Sequence, residues 1–184
     1  MLDLSQVAGR ISGFATAFRL ETLDTYTSAS DRGDVARYLA GVPAPEPERK
    51  ERWLSQLRSE RAQGRMRQRV HVLSSPIGPY LRYECEWGYA PNVEAGEDVR
   101  ILDLAEVPRP PALDVDHDFW LIDDQEVIRM DYEADGRFSG AEVAGPGALP
   151  RYLAARDAAL SAAEPFTTWW QRHPEYYQAN NRAT

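Results

Sequence analysis

The sequence predicts an α+β fold, in which a mixed sheet of about five strands is flanked by N- and C-terminal helices. Residues 65–104 read as strand, helix and strand in succession, which makes a β-α-β unit, and residues 119–143 hold three short strands separated by turn sequences, which make an antiparallel meander. With 184 residues, 43% hydrophobic and 27% charged, the composition suits one globular domain over residues 1–184.

The first strand of the β-α-β unit has two unlike faces. Apolar residues alternate along it with basic ones, and this period of two indicates a half-buried strand. The basic positions are Arg65, Arg67, Arg69 and His71. The sequence therefore predicts a row of guanidinium groups on one side of the sheet.

The helix of this unit is predicted from Ile77 to Tyr89, where Ala90-Pro91-Asn92 is expected to break it. On a helical wheel, Glu84 falls inside the apolar face. An unpaired carboxylate there would lose several kcal/mol or become protonated. We therefore expect Glu84 to be buried and to pair with Arg69 or Arg100.

Elsewhere the helical and strand patterns are simpler. Short helices are predicted around Phe14 to Leu23 and from Asp31 to Gly41, longer ones over Glu48–Gln63 and Leu149–Leu160, and a last one resumes after Pro165. The meander strands are Phe119–Ile122, Val127–Tyr132 and Arg137–Val143. The expected core spans about residues 14–168.

Composition excludes several functional classes. A net charge of −8 argues against direct nucleic-acid binding, and the single cysteine excludes an internal disulfide. No run approaches the roughly 18 apolar residues of a membrane span, and no signal sequence follows Met1. We therefore expect a cytoplasmic protein that binds neither nucleic acid nor membrane.

No familiar catalytic or metal-binding motif stands out. The acidic stretch from Asp114 to Asp118 includes His117, but strand alternation would send Asp116 and His117 to opposite faces, so no metal site is predicted. Cys85 lies on an apolar helix face, where thiols are usually inert. No cofactor is expected.

Several stretches are informative only in combination. They are Ala17–Leu23, Pro79–Asn92, Ala95–Asp103, Asp118–Asp124, Asp135–Gly140 and Tyr152–Leu160. Together they resemble DUF6879, an actinobacterial family of unknown function, over roughly residues 14–168. The resemblance implies that the gene is encoded beside helix-turn-helix regulators, and hence a regulatory or interaction role. It supplies no catalytic residues.

Two functional hypotheses follow. The first is a non-enzymatic interaction module that partners a DNA-binding regulator. The alternative is a small-molecule enzyme or sensor that binds an anionic ligand at the arginine face, since guanidinium groups grip carboxylates and phosphates. Its predicted ligand-binding residues are Arg67, Arg69, Tyr80, Glu84, Trp87 and Arg100. The same arginines would serve as scaffold if they neutralised neighbouring carboxylates.

The C-terminal residues 166–184 form an aromatic tail. Its aromatic residues are Phe166, Trp169, Trp170, Tyr176 and Tyr177. Such side chains are enriched at interface hot spots and are unfavourable in a free terminus. The tail is therefore predicted either to fold back onto the helix that carries Trp53, or to bind a protein partner, which is a helix-turn-helix regulator or a second copy in a homodimer.

Overall fold

A computed structural model describes residues 1–28, 31 and 33–181, with only the backbone of Asn181. Within this part of the chain, the strands form one mixed sheet in the order β6-β5-β4-β1-β2-β3-β7. They are β1 Thr16–Glu21, β2 Met66–Leu73, β3 Asp98–Asp103, β4 Asp118–Ile122, β5 Glu126–Tyr132, β6 Phe138–Val143 and β7 Glu164–Pro165. The predicted α+β class is confirmed.

Helices surround this sheet. They are α1 Leu4–Arg10, α2 Asp34–Leu39, α3 Pro47–Ala62, α4 Pro79–Tyr83, a π segment Glu84–Tyr89, α5 Ala90–Ala95, α6 Leu149–Ala162, α7 Phe166–Arg172 and α8 Gln178–Asn181. None of those described combines the length and apolar character that crossing a membrane requires. Arg32 in the predicted helix start and residues 182–184 of the predicted tail lie outside the described residues.

The strand pairings contain both predicted units. β1, β2 and β3 are parallel neighbours, and β2 leads to β3 through the helical run 79–95, which completes the β-α-β unit. β4, β5 and β6 form the antiparallel meander, and β4 joins it to β1 in antiparallel register. This arrangement makes β1 the strand at which the two halves of the sheet meet.

The prediction of a helix over residues 14–23 is wrong, because most of this stretch forms β1. Phe18 and Leu20 pack into the apolar core on one side of the sheet, whereas Arg19 and Glu21 point to the other side. This alternation has the period of two of a strand, although the spacing of Phe14 and Phe18 also fits a helical turn. The strand lies at the centre of the sheet rather than capping its edge.

The helix after β2 does not break where predicted. The π segment runs directly into α5, so the helical run continues from residue 79 to 95 and Pro91 lies in the first turn of α5. Because the run is continuous, Pro91 has no N–H to donate to the Trp87 carbonyl in the preceding turn, and this carbonyl accepts from the Lys50 ammonium. The run ends at Gly96, whose φ of 117° suits glycine.

The two faces of the sheet differ sharply. The face that we call the apolar face packs Leu20, Val70 and Leu102 against Tyr152 and Ala155 of α6. The opposite face, which we call the charged face, carries its polar residues near β1 and is covered by α3 and the helical run 79–95. Its polar members are Arg19, Glu21, Arg67, Arg69, His71 and Asp118.

The C-terminal segment folds back, but not onto the helix that carries Trp53. β7 extends the sheet beside β3, and Phe166, Trp169 and Tyr176 are buried against β3 and the helical run 79–95. These three side chains are therefore core residues and not a free partner surface. Trp170 and Tyr177 are half-buried, so a partner role for the tail stays a prediction.

The adjacent tryptophans of α7 test this docking. Trp169 is fully buried, stacks on His173 with ring centroids 4.3 Å apart, and donates through Nε1 to Asp103 at 3.2 Å. We expect Trp169→Ala to lower the free energy of unfolding by about 3–5 kcal/mol. The matched Trp170→Ala should cost about 1–2 kcal/mol, because a half-exposed ring loses less buried area. Equal losses in urea denaturation would contradict the docking.

Candidate functional site

Five charged side chains meet on the charged face and form what we call the charge cluster. They are Arg19, Glu21, Arg69, Glu97 and Asp118. β1, β2 and β4 supply four of them, and Glu97 immediately precedes β3. Because these strands are neighbours in the sheet, residues far apart in sequence come within hydrogen-bonding distance.

Asp118 holds one end of the charge cluster. Its Oδ2 accepts from Nη2 of Arg19 at 2.7 Å and from the Tyr26 hydroxyl at 2.7 Å, and its Oδ1 accepts from the backbone N–H of Thr22 at 2.8 Å. Arg19 Nη2 also donates to the Tyr132 hydroxyl at 2.8 Å. These bonds tie the segment after β1 to β4 and β5.

Arg69 holds the other end between two carboxylates. It donates to Glu21, and its Nε lies 3.0 Å from Oε1 of Glu97. The second oxygen of Glu97 accepts from the Asn92 side chain at 2.8 Å. The expectation that Arg69 pairs with Glu84 is therefore wrong, because Glu21 and Glu97 already occupy its guanidinium.

Mutual pairing keeps this cluster ionised despite burial. Burial would raise the pKa of Glu21, but the Arg69 and Arg19 guanidiniums outweigh that effect and lower the pKa to about 2. Burial would likewise lower the pKa of Arg19, yet Asp118 and its other neighbours raise it. Arg19, Glu21 and Arg69 therefore keep their charges across the physiological pH range.

A hydroxyl links the charge cluster to a buried histidine. The Tyr89 hydroxyl lies 2.8 Å from Oε2 of Glu21 and 2.6 Å from Nδ1 of His71, while Nε2 of His71 lies 3.0 Å from the Leu23 carbonyl. Burial lowers the pKa of His71, which favours neutral imidazole. In the neutral tautomer whose Nε2–H donates to the Leu23 carbonyl, Nδ1 of His71 is an acceptor. The Tyr89 hydroxyl has one proton, and two acceptors, Nδ1 of His71 and Oε2 of Glu21, lie within its reach.

A cleft of about 650 Å³ opens above this cluster, and we call it the tyrosine cleft. Leu4 of α1 and Phe138 of β6 line one side, and the helical run 79–95 lines the other. Its aromatic and acidic lining residues are Tyr26, Tyr80, Tyr89, Tyr132, Phe138, Glu21, Asp31 and Glu84. The volume lies in the range of sites for small organic molecules.

Glu84 reaches the cleft from the first residue of the π segment. Within the described residues its carboxylate forms no hydrogen bond or ion pair, so the predicted partner Arg100 is also wrong. Burial, helped by the nearby Glu21 carboxylate, raises its pKa to about 7. A Cβ at Gly88 would lie 2.7 Å from Oε1 of Glu84, so this glycine makes room for the carboxylate.

Only part of the predicted ligand-binding set meets in the cleft. Tyr80 and Glu84 line it, and Arg69 lies beneath Glu21. Arg67 is bound by Glu60 of α3 at 2.9 Å and lies over the Phe14 and Trp53 rings.

The remaining two predicted residues lie elsewhere. Trp87 packs with Tyr38 and Tyr83, and Arg100 pairs with Asp98 at 3.2 Å. The arginines are therefore occupied by carboxylates of the chain, as the scaffold alternative describes. Binding of an anionic ligand there stays a prediction.

Sequence reasoning missed most of the cleft floor. Glu21, Tyr26 and Tyr132 are not among the predicted site residues, because the pattern of residues 14–23 also fits a helix. Alternation of Arg19 and Glu21 with Phe18 and Leu20 was the available signal for a strand with a polar face. Nothing in the sequence placed that face opposite Glu84.

A second group of polar side chains lies near the C-terminus. Ligand atoms of Asp103, Glu106 and His173 lie within 4.8 Å of one another. Asp103 accepts from Ser75 and Ala105 as well as from Trp169, and Glu106 accepts from Arg172. These bonds occupy the carboxylates, so the group fastens the C-terminal segment and does not resemble an open metal site.

The prediction that Asp116 and His117 point to opposite faces is wrong, because both residues precede β4 and Oδ1 of Asp116 lies 3.2 Å from Nδ1 of His117. His117 contacts the Tyr152 hydroxyl at 2.9 Å beside the apolar face, whereas Asp118 enters the charge cluster on the opposite face. Asp116 is fully exposed.

The model of a family described as "Domain of unknown function (DUF6879)" matches residues 6–171. The match covers most of the chain, including β1, β5, β6 and the helical run 79–95, which all line the cleft. No curated protein matches the sequence.

The Asp118–Arg19 pair can be tested by truncation. Asp118→Ala leaves a buried guanidinium without its main counter-charge, and we expect a loss of about 3–5 kcal/mol in the free energy of unfolding. Asp116→Ala is the matched control, and its exposed carboxylate should change stability by less than about 0.5 kcal/mol. Similar unfolding midpoints in urea for the two variants would show that Arg19 is not held by Asp118.

Glu84 should make stability depend on pH. Its folded pKa of about 7 lies above the ordinary 4.5, so its stabilising contribution is complete below pH 4.5 and is lost as pH rises through 7. Glu84→Gln does not ionise and therefore keeps this contribution to the free energy of unfolding. The contribution is at most about 3 kcal/mol, because the cleft is open to solvent, which screens the charge. In urea titrations, the free energy of unfolding of Glu84→Gln should therefore rise relative to that of the wild type between pH 5 and pH 8. A difference that is constant with pH would contradict the raised pKa.

Proposed function

The chain belongs to the DUF6879 family, and we propose that this member is a ligand-binding module that holds a small organic molecule in the tyrosine cleft. The observation that carries the proposal is the set of polar groups left available there. In the described residues, the Glu84 carboxylate and the Tyr80 hydroxyl have no partner, and the Tyr132 hydroxyl only accepts, from Arg19. Convergent polar groups on an aromatic wall are typical of small-molecule sites.

The cleft floor is suited to binding because it is rigid. Glu21 is held by Arg69 and Tyr89, and Tyr132 is held by Arg19, so neither side chain has to be ordered when a ligand arrives. Sites built on strands and supported by buried hydrogen bonds lose little conformational entropy on binding. The charge cluster therefore acts as the support of the site.

A sensory role follows more readily than a structural one. The resemblance implies that family members accompany helix-turn-helix regulators, and a ligand-binding module beside such a regulator would report the presence of its ligand. Under this proposal, the predicted protein partner recognises the ligand-bound state of the protein. The half-buried Trp170 and Tyr177 offer this partner aromatic contacts.

One observation favours an enzyme as a second candidate. The pKa of Glu84, about 7, suits a general acid or base at neutral pH, and the residue faces the cleft without a partner. A catalytic cleft would alter the mass of a bound compound on incubation, and Glu84→Gln would abolish that change. A sensor would release the compound intact.

Obstruction of the cleft tests the ligand-binding proposal. Leu4 lines the cleft and Leu39 does not, yet both are leucines with 58% exposure. A compound library screened by native mass spectrometry should yield binders whose affinity falls at least about tenfold in Leu4→Trp, because the indole fills the cleft. Leu39→Trp should bind them like the wild type.

Two results would contradict the proposal. Binders that are insensitive to Leu4→Trp would place the binding site elsewhere, and a screen without any binder would leave the cleft without a ligand-binding function.

A further inference from the structure

We infer that the tyrosine cleft selects an organic cation, a ligand that carries an ammonium group beside an apolar body. The inference rests on the proposed function and names the chemical class of ligand for that same cleft. It differs from the anionic ligand expected from the arginine-rich strand. Charge, wall chemistry and the state of Glu84 each support it.

The charge of the lining is negative. Glu21, Glu84 and Asp31 line the cleft, and in the described part of the lining Arg137 is the single basic residue. Arg137 is exposed at the edge and lies 3.7 Å from Asp135. An anion entering the cleft would meet two carboxylates on the floor and wall, whereas a cation would be attracted by both.

The guanidiniums below the floor do not reverse this field. Arg19 and Arg69 carry two positive charges, and Glu21, Glu97 and Asp118 carry three negative ones, so the charge cluster keeps one excess negative charge. Neither arginine lines the cleft. Their hydrogen bonds go to carboxylates and to Tyr132, while Nη1 of Arg19 is buried and has no hydrogen-bond partner among the described residues.

The walls are aromatic. Tyr26, Tyr80, Tyr89, Tyr132 and Phe138 all line the cleft. The rings of Tyr26 and Tyr132 lie edge to face with centroids 5.2 Å apart, and Tyr80 lies 6.2 Å from Tyr26 on another side. Aromatic faces attract cations through the ring quadrupole, and several rings around a carboxylate form the usual receptor for an ammonium group.

Glu84 supplies the carboxylate for such a ligand. The cations that act on it within the described chain are Arg69 and Lys50. Arg69 is shared by Glu21 and Glu97, and the Lys50 ammonium donates to the Trp87 carbonyl outside the cleft lining. A ligand cation would therefore supply the counter-charge that the described residues do not supply to Glu84.

Three probes of similar size and different charge test the inference at pH 8. Phenethylammonium, phenethyl alcohol and phenylacetate share a phenyl ring and a two-carbon reach but are cationic, neutral and anionic. Nuclear magnetic resonance titration of the full chain should show the ammonium binding at least about tenfold more tightly than the alcohol. Phenylacetate should bind most weakly. Leu4→Trp should weaken the binding of phenethylammonium.

Glu84→Gln and Glu94→Gln remove one negative charge each from the same helical run, but Glu94 is exposed and outside the cleft lining. Loss of the preference for the cation in Glu84→Gln alone is the expected result. If the alcohol or phenylacetate binds more tightly than the ammonium, and Leu4→Trp weakens that binding, the ligand-binding proposal stands and the cation inference is wrong. No binding of phenethylammonium at millimolar concentration would also overturn it, while the library screen decides the proposed function separately.

Discussion

The structure depends on how two buried arginines on neighbouring strands are neutralised. Arg19 and Arg69 are direct partners in the parallel β1–β2 register and point to the same covered face, so their charges would repel if left alone. Glu21 lies between them, with Asp118 and Glu97 at either end. Arg19 and Glu21 belong to β1 and the other three residues lie in β2, in β4 and just before β3, so the ion pairs link these elements.

Buried ion pairs of this kind contribute more to specificity than to stability, because desolvation offsets their attraction. Their consequence here is electrostatic. The charge cluster has three carboxylates and two guanidiniums, so the floor of the tyrosine cleft is negative. Glu84 lies above that floor and has no partner among the described residues. Burial raises the pKa of Glu84, and the Glu21 carboxylate of the charge cluster adds to that rise. The excess negative charge of the cluster also supports the charge preference that we propose for the ligand.

The C-terminal segment supports the wall of the cleft from behind. Phe166 packs edge to face on Tyr89, with ring centroids 5.8 Å apart, and Cys85 belongs to the same apolar cluster. These contacts hold the π segment on which Glu84 is carried. A tail that looked like a partner surface in the sequence thus positions a residue on the far side of the helical run.

The sequence by itself determined the α+β class, the β-α-β unit and the meander, because these depend on local periodicity. Tertiary structure alone decided that residues 14–23 form the central strand, that Arg69 pairs with Glu21 and Glu97, and that Glu84 faces a cleft. The physical reason is that a short stretch such as Phe14 to Leu23 fits helix and strand periods alike. Long-range pairing then selects the strand and, with it, the partner of every buried charge.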